Sequence, residues 1–404
     1  MVRRPSDRAL DWLNFFVANV QTGFGPFIAV YLTAQAWTDV EIGIALSVGT
    51  ATMMLAQVPA GMLVDATPRK RLAAFWSLIG VALSAVLLAA WPERLPILAS
   101  EVLHGVASCV LAPAIAAISL ALVGRERLGE RLGRNARYAS LGNGVAAAAM
   151  GSAGAWLSGA SVFWITAALM IPSMIALAAI RPAELHPPQL HSAGLAQPAG
   201  RKEILDLLTD RGVLVFAACC LLFTLANAAM LPLVGAEITR VAGDEANLVI
   251  AACIVIPQLV VAIISPWVGR GAERWGRRAI LLIGFAALPV RGVLLGMISD
   301  PFALAVVQML DGISAAVLGV LLPLLAADLT RRSNRFNLCM GIFGLAVGVG
   351  GTISTTLGGA IASWFGAGTA FVALAGCGLL AFLLVLFAMP ETRGTPTPPQ
   401  STTA

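Results

Sequence analysis

GMLVDATPRKR, residues 61–71, follows directly on an apolar run, and GRGAERWGRRA, residues 269–279, follows directly on another. Each opens on a glycine (Gly61, Gly269) and sets an acid four positions on (Asp65, Glu273). Each then carries two cations at the eighth and ninth steps, Arg69 and Lys70 in the first copy and Arg277 and Arg278 in the second. A chain that builds the same charged hairpin twice has two halves to join, and the residues around the hairpins show what kind of halves they are.

Composition excludes an ordinary soluble domain. Hydrophobic residues make up 58% of the 404 positions and charged residues 12%, about half the charged share of a soluble protein. Mean hydropathy is +0.86. Too few charges exist to cover a solvated surface, so most of the outside faces lipid. The net charge of +5 does not point to nucleic acid, because the basic residues sit in short loops between apolar runs, the pattern of a membrane protein. The six cysteines all lie in apolar runs, with neither metal-ligand spacing nor a disulfide framework.

A spanning helix needs about 20 mostly apolar residues. Twelve stretches qualify: 10–34, 40–64, 72–91, 95–123, 136–159, 161–180, 212–238, 246–268, 279–298, 302–328, 337–363 and 367–389. The expected fold is therefore an all-α membrane protein of twelve transmembrane helices. The N-terminal MVRRPSDRALDW resembles a signal-peptide start, but the apolar run after it is too long and no small-residue cleavage site follows. It reads as an uncleaved first span. Residues 181–211 are polar, Pro-rich at first; from Arg201 onward Ile204, Leu205 and Leu208 share a face, as in a short helix on a membrane surface. His186 and His191 in the Pro-rich part read as solvated. The tail, 392–404, has nothing to bury and reads as disordered.

Threading twelve spans puts 23 of the 26 Lys and Arg on one face, Arg94 and Arg240 on the other, and Arg291 inside a span. The crowded face is expected to be cytoplasmic, with both termini on it, as in a multi-pass protein of the cytoplasmic (inner) membrane.

The duplication extends past the hairpins. QTGFGPF at 21–27 and NAAMLPL at 227–233 each place an amide, Gln21 or Asn227, five residues before a proline. LHGVASCVL at 103–111 pairs with LDGISAAVL at 310–318, and RNARYASLGNG at 134–144 with RRSNRFNLCMG at 331–341. The chain reads as a six-helix bundle over 1–180, a linker over 181–211 and a second bundle over 212–391, related as a parallel repeat.

With these motifs in place, the whole chain resembles the major facilitator superfamily of secondary transporters. The family's loop pattern is Gly, three residues, Asp, two residues, Gly, then two basics; here Pro68 replaces the second glycine of the first copy, and Glu273 the aspartate of the second. The resemblance implies twelve helices in two pseudo-symmetric bundles that latch through these motifs as access alternates between the two sides. It implies that spans 1, 4, 7 and 10 line a central cavity. The Gly-Pro motif that exporter branches carry in span 5 is absent.

Ionisable groups inside a span are functional candidates by default. Span 4 offers Glu101 and His104, and span 10 offers Asp311, with Gln308 at the position equivalent to Glu101. On cavity spans, Glu101, His104 and Asp311 are the candidates for proton coupling. Arg291 is expected to point inward and pair with Asp311 or a neighbour on span 10, which would compete with a coupling role for Asp311. Substrate-cavity candidates are Asn19, Gln21, Phe24, Phe27, Tyr31, Asn227 and Gln308, placed polar groups among apolar and aromatic walls. The gating motif is Gly61, Asp65, Arg69 and Lys70 with Gly269, Glu273, Arg277 and Arg278. No phosphate-binding loop, nucleophile–base pair or metal-ligand spacing occurs, so neither an enzyme nor a cofactor is expected. The expected protein is a monomer in the lipid bilayer that moves a small organic solute, with protons, and leans to export. The alternatives are a proton-linked uptake symporter and a non-transporting sensor or scaffold on the same fold.

Overall fold

The computed structural model describes residues 4–18, 26–185, 201–241, 246–331 and 333–393. Of the sequence-based expectations, Asn19, Gln21, Phe24, His186, His191 and the tail beyond residue 393 lie outside these residues, as does the side chain of Phe27.

The first half comprises α1 (Pro5–Val17), α2 (Pro26–Ala34), α3 (Asp39–Ala66), α4 (Lys70–Ala90), α5 (Arg94–Val123), α6 (Leu128–Trp156) and α7 (Gly159–Ala179). A short surface helix, α8 (Arg201–Thr209), precedes the second half. That half comprises α9 (Arg211–Asn227), α10 (Met230–Val241), α11 (Ala246–Trp275), α12 (Arg277–Met297), α13 (Pro301–Val307), α14 (Met309–Leu329), α15 (Phe336–Phe365) and α16 (Ala367–Ala388). Ten helical stretches among the described residues are long and apolar enough to cross a membrane. The two remaining expected spans correspond to α1 with α2, and to α6, which at 29 residues is long enough but rich in Gly, Ala and Ser.

Local chemistry sets several starts. Thr38 and Glu41 form a reciprocal capping box at α3, and Asp210 and Asp300 accept N–H bonds from Val213 and Ala303 at α9 and α13. The seventh and tenth spans, expected to be continuous, are each interrupted. Pro232 sits in the first turn of α10 and has no N–H to continue the ladder from α9. The freed Ala229 N–H is met by Ser354 Oγ of α15 at 3.0 Å, which is how a break survives at membrane depth. At Gln308 the backbone tightens, its N–H donating to Ala305 O at 3.2 Å. In α8, Leu207 is buried while Leu205 and Leu208 are exposed, as suits a helix resting on a membrane surface.

The halves meet at their arginine-rich end through two crossings, α3 with α15 and α11 with α6. Bare backbone makes both possible. A Cβ on Gly61 would strike the carbonyl of Asn337, and one on Gly341 that of Gln57. In the other crossing a Cβ on Gly269 would strike the carbonyl of Gly129, and one on Gly133 that of Ser265. The second set stands at one constant sequence offset from the first, so the repeat is a pseudo-twofold axis in space. Replacing Gly341 with alanine is expected to push the halves apart at this end. Double electron–electron resonance between labels on the ends of α3 and α15 reads the shift, and an unchanged distance distribution would refute backbone-to-backbone packing there.

Candidate functional site

The two hairpin acids reach across the molecule. Asp65, at the end of α3, accepts from the backbone N–H of Asn337 at 3.0 Å and Leu338 at 2.9 Å and from Asn337 Nδ2 at 2.7 Å. Glu273, near the end of α11, accepts from the backbone N–H of Glu130 at 3.1 Å. Neither α6 nor α15 has a side-chain cap from its own N-cap residue. Each therefore receives, from the opposite half, the carboxylate that its exposed N–H groups and dipole call for.

The hairpin cations serve their own half. Lys70 Nζ donates to the carbonyls of Val64 and Asp65, closing the end of α3. Arg277 is buried, not solvated: Nε meets Asp328 Oδ2 at 3.0 Å and Nη1 meets Ala272 O at 2.7 Å. Of the four, Arg69 alone is exposed. Three further groups tighten this end without having been picked out in the sequence. Asp11 is buried between Arg131 and Arg134, tying α1 to α6. Arg125 donates to Ala327 O across the halves. Glu391 accepts the N–H groups of Arg277 at 2.9 Å and Arg278 at 3.1 Å. Glu391 lies beyond the last span; partial burial pushes its carboxyl up, but the N–H groups of Arg393, Arg277 and Arg278 outweigh that and hold it below the ordinary glutamate range. Signals were present: Asp11 opens an apolar run, Asn337 sits inside the repeated RRSNRFNLCMG, and Glu391 follows the last span.

Away from the arginine-rich end, a charge cluster is buried around Arg291. Arg291 is 0% exposed. Its guanidinium donates to Asn227 Oδ1 of α9, to Asp311 Oδ1 at 2.6 Å and to Gln308 Oε1 at 2.6 Å. Three sequence candidates thus converge on Arg291, at the points where spans seven and ten are interrupted. Arg291 Nε and Gln308 Nε2 have no hydrogen-bond partner among the described residues.

The fourth span is rotated away from expectation. Glu101 and His104 do not face the space between the halves; both are buried, and Glu101 packs onto Gly49 of α3, where a Cβ would strike its carboxylate. Glu101 Oε1 is buried without a partner among the described residues. His104 Nε2 lies 3.3 Å from Ser108 Oγ. The face that stays open carries Leu95, Val102 and Val106 on α5, matched in the other half by Phe302 and Val306 on α13 and Met309 on α14. Following the same face of α5 down by helical steps reaches Ala117 and Leu120, which are buried in the core shared with the second half. The stripe thus lines the cleft between the halves, and it is apolar. Tyr31, expected in the cavity wall, is instead buried in the first bundle, donating to Leu88 O at 3.0 Å with its ring edge-on to Phe163.

The sequence matches the family model described as Major Facilitator Superfamily over residues 10–256 and 226–404. It is 36% identical over 390 residues to an uncharacterised MFS-type transporter of Mycobacterium tuberculosis, in strains CDC 1551 / Oshkosh and ATCC 25618 / H37Rv alike, spanning 95% of this chain and 93% of the relative. Among solved structures, the human organic anion transporter MFSD10 (TETRAN) superposes with a TM-score of 0.73 at 15% identity, over 95% of this chain and 99% of that one. The proton:xylose symporter XylE bound to 6-bromo-6-deoxy-D-glucose gives 0.72 at 14% identity, over 97% and 96%. The fold and its two-sided clasp define a multi-pass transporter, and the chain belongs to the major facilitator superfamily.

Two outcomes follow from this geometry. Truncating Arg291 to alanine strands Asp311 and is expected to cost about 3–5 kcal/mol, the usual penalty for leaving one partner of a buried ion pair alone; R291M with D311L should recover most of it. A double-mutant cycle on unfolding in detergent measures this, and additive losses would show the two residues to be uncoupled. For Glu391 the lowered carboxyl means its contribution is present above the ordinary glutamate range and lost as pH falls through its own, lower value. Wild type should therefore melt above E391Q at neutral pH, with the gap closing only in strong acid.

Proposed function

We propose that the protein is a secondary active transporter that moves a small amphipathic organic solute across the cytoplasmic membrane by alternating access, exporting it in exchange for protons. The reciprocal capping carries this reading. A clasp in which each half supplies the other's missing helix cap is closed when the arginine-rich ends meet and open when they part, and hydrogen bonds of this kind can break and re-form. The arginine-rich face is assigned to the cytoplasm on the loop charges, which puts both termini there and directs the apolar cleft outward in the clasped state. The apolar cleft stripe favours an amphipathic cargo over a sugar or a phosphate ester, and with it extrusion over nutrient uptake.

Two carboxylates are assigned to the proton. Glu101 is buried against bare glycine backbone with an unpartnered oxygen, and a neutral carboxyl fits that surrounding better than an ion. Asp311 reaches the edge of the cleft and holds Arg291; protonation would release the arginine, so pairing and coupling are two states of one site.

In everted vesicles acidified inside, the solute is expected to accumulate in the lumen. Accumulation only in right-side-out vesicles with acid outside would reverse the direction to uptake. E101Q or D311N should abolish gradient-driven accumulation while radiolabelled counterflow persists. Undiminished accumulation in both variants would remove these residues from the coupling role, and absence of counterflow in the wild type with every solute tried would favour a scaffold.

A further inference from the structure

The halves treat equivalent helix starts differently. At the start of α12, Glu391 lays its carboxylate on the N–H groups of Arg277 and Arg278, Arg278 donates to Leu386 O, and Arg393 donates to Arg274 O at 2.7 Å. An anion and a chain segment fill that place. At the start of α4, the equivalent of α12, the residue before the helix, Arg69, provides no side-chain cap. The position standing at the repeat offset from Glu391 is Ala183. A cavity of about 850 Å³ lies there.

Its lining has two characters. Arg69, Lys70 and Arg71 form one end, and Phe75, Met174, Leu177 and Ala121 form an apolar wall. Phe75 is exposed on the outer surface of α4, so the wall is continuous with the lipid-facing side. Arg69 projects free, and Arg71 gives Nη2 to Leu177 O at 3.3 Å and Ala178 O at 3.1 Å while its Nε is buried without a partner among the described residues. Asn337, 2% exposed, also lines the cavity; its Nδ2 serves Asp65, but its Oδ1 is buried with no donor among the described residues. Of the nearby carboxylates, Asp65 is engaged by three N–H groups, and Glu184 stands 4.0 Å from Arg181 through Oε1 while its Oε2 is buried without a partner among the described residues. Cations in excess, the unmet Asn337 acceptor in the lining and an apolar wall open to the bilayer describe an amphiphile whose head is anionic and also carries a donor.

We propose that this cavity binds an anionic phospholipid with a glycerol headgroup, drawn from the leaflet on the arginine-rich face. The phosphate lies against Arg69 and Arg71, the headgroup hydroxyl donates to Asn337 Oδ1, and an acyl chain follows Phe75 and Met174. The lipid supplies to the first half the anion that Glu391 supplies to the second. Asn334, Phe336 and Asn337 belong to the second half, so the occupant touches both halves beside the Asp65 clasp and holds it closed. This inference does not depend on cargo or coupling.

Native mass spectrometry of the full chain in detergent, titrated with phosphatidylglycerol or with phosphatidylcholine of the same chains, tests it. Phosphatidylglycerol is expected to bind the more tightly, R71Q to weaken it roughly fivefold as for one lost surface cation, R71K to retain it, and A121F to displace it by filling the wall. Should A121F fail to fold, the R71Q and R71K pair decides alone. Equal binding of the two lipids, or phosphatidylglycerol binding indifferent to R71Q, would overturn the proposal. So would competition by soluble glycerol phosphate as effective as the lipid, which would reassign the site to a soluble anion.

Discussion

The structure depends on a carboxylate placed at the membrane boundary of one bundle whose helix to cap lies in the other. A helix N-terminus leaves several N–H groups without partners, and the local dipole attracts negative charge. In most proteins the cap comes from the residue just before the helix. Here α6 and α15 lack such a side-chain cap and take it from Glu273 and Asp65. Hydrogen bonds to a charged group contribute about 1.5–3 kcal/mol each, and desolvating the carboxylate offsets part of that. What remains favours the closed end. The four glycines at the crossings keep the acids within reach, since any side chain there would lengthen the distance they must span.

The same logic of shared satisfaction governs the interior. An arginine facing lipid would cost at least about 2.5 kcal/mol, and Arg291 avoids this by collecting oxygens from α9, from Gln308 and from α14. Those oxygens converge because the two spans that carry them are interrupted. A straight seventh or tenth span would present its side chains at fixed helical intervals, whereas breaks after Asn227 and at Gln308 let both amides turn toward one guanidinium. The price of the breaks is a few unpaired backbone groups, and Ser354 covers one of them.

The larger architecture was legible because lipid enforces it. Span length, loop arginines and the repeated hairpins all answer to the bilayer, and each leaves a mark in residue type. Rotation of a span about its own axis leaves almost none. On α5 apolar residues occur on every face and the polar ones are few, so residue type alone does not tell that Val102 and Val106 look into the cleft while Glu101 and His104 are buried, with Glu101 against α3. Intuition assigned the polar pair to the cavity, and packing against Gly49 assigned it elsewhere. Tyr31 misled for a similar reason, since a hydroxyl on a central span can be met by a carbonyl such as that of Leu88 within its own bundle. Asn337 and Glu391 were visible as polar residues near span ends, but their partners lie far away in sequence and nothing local announces a cap delivered from that distance.

The interruption at Gln308 has a mechanical result. Pro301–Val307 is a two-turn rod joined to α14 through Gln308, one of the three residues whose side chains meet Arg291. Phe302 and Val306 stand on that rod, facing the cleft. The joint that carries these two bulky apolar side chains is thus the same residue whose oxygen accepts from the buried guanidinium, so the packing of one is tied to the charge of the other.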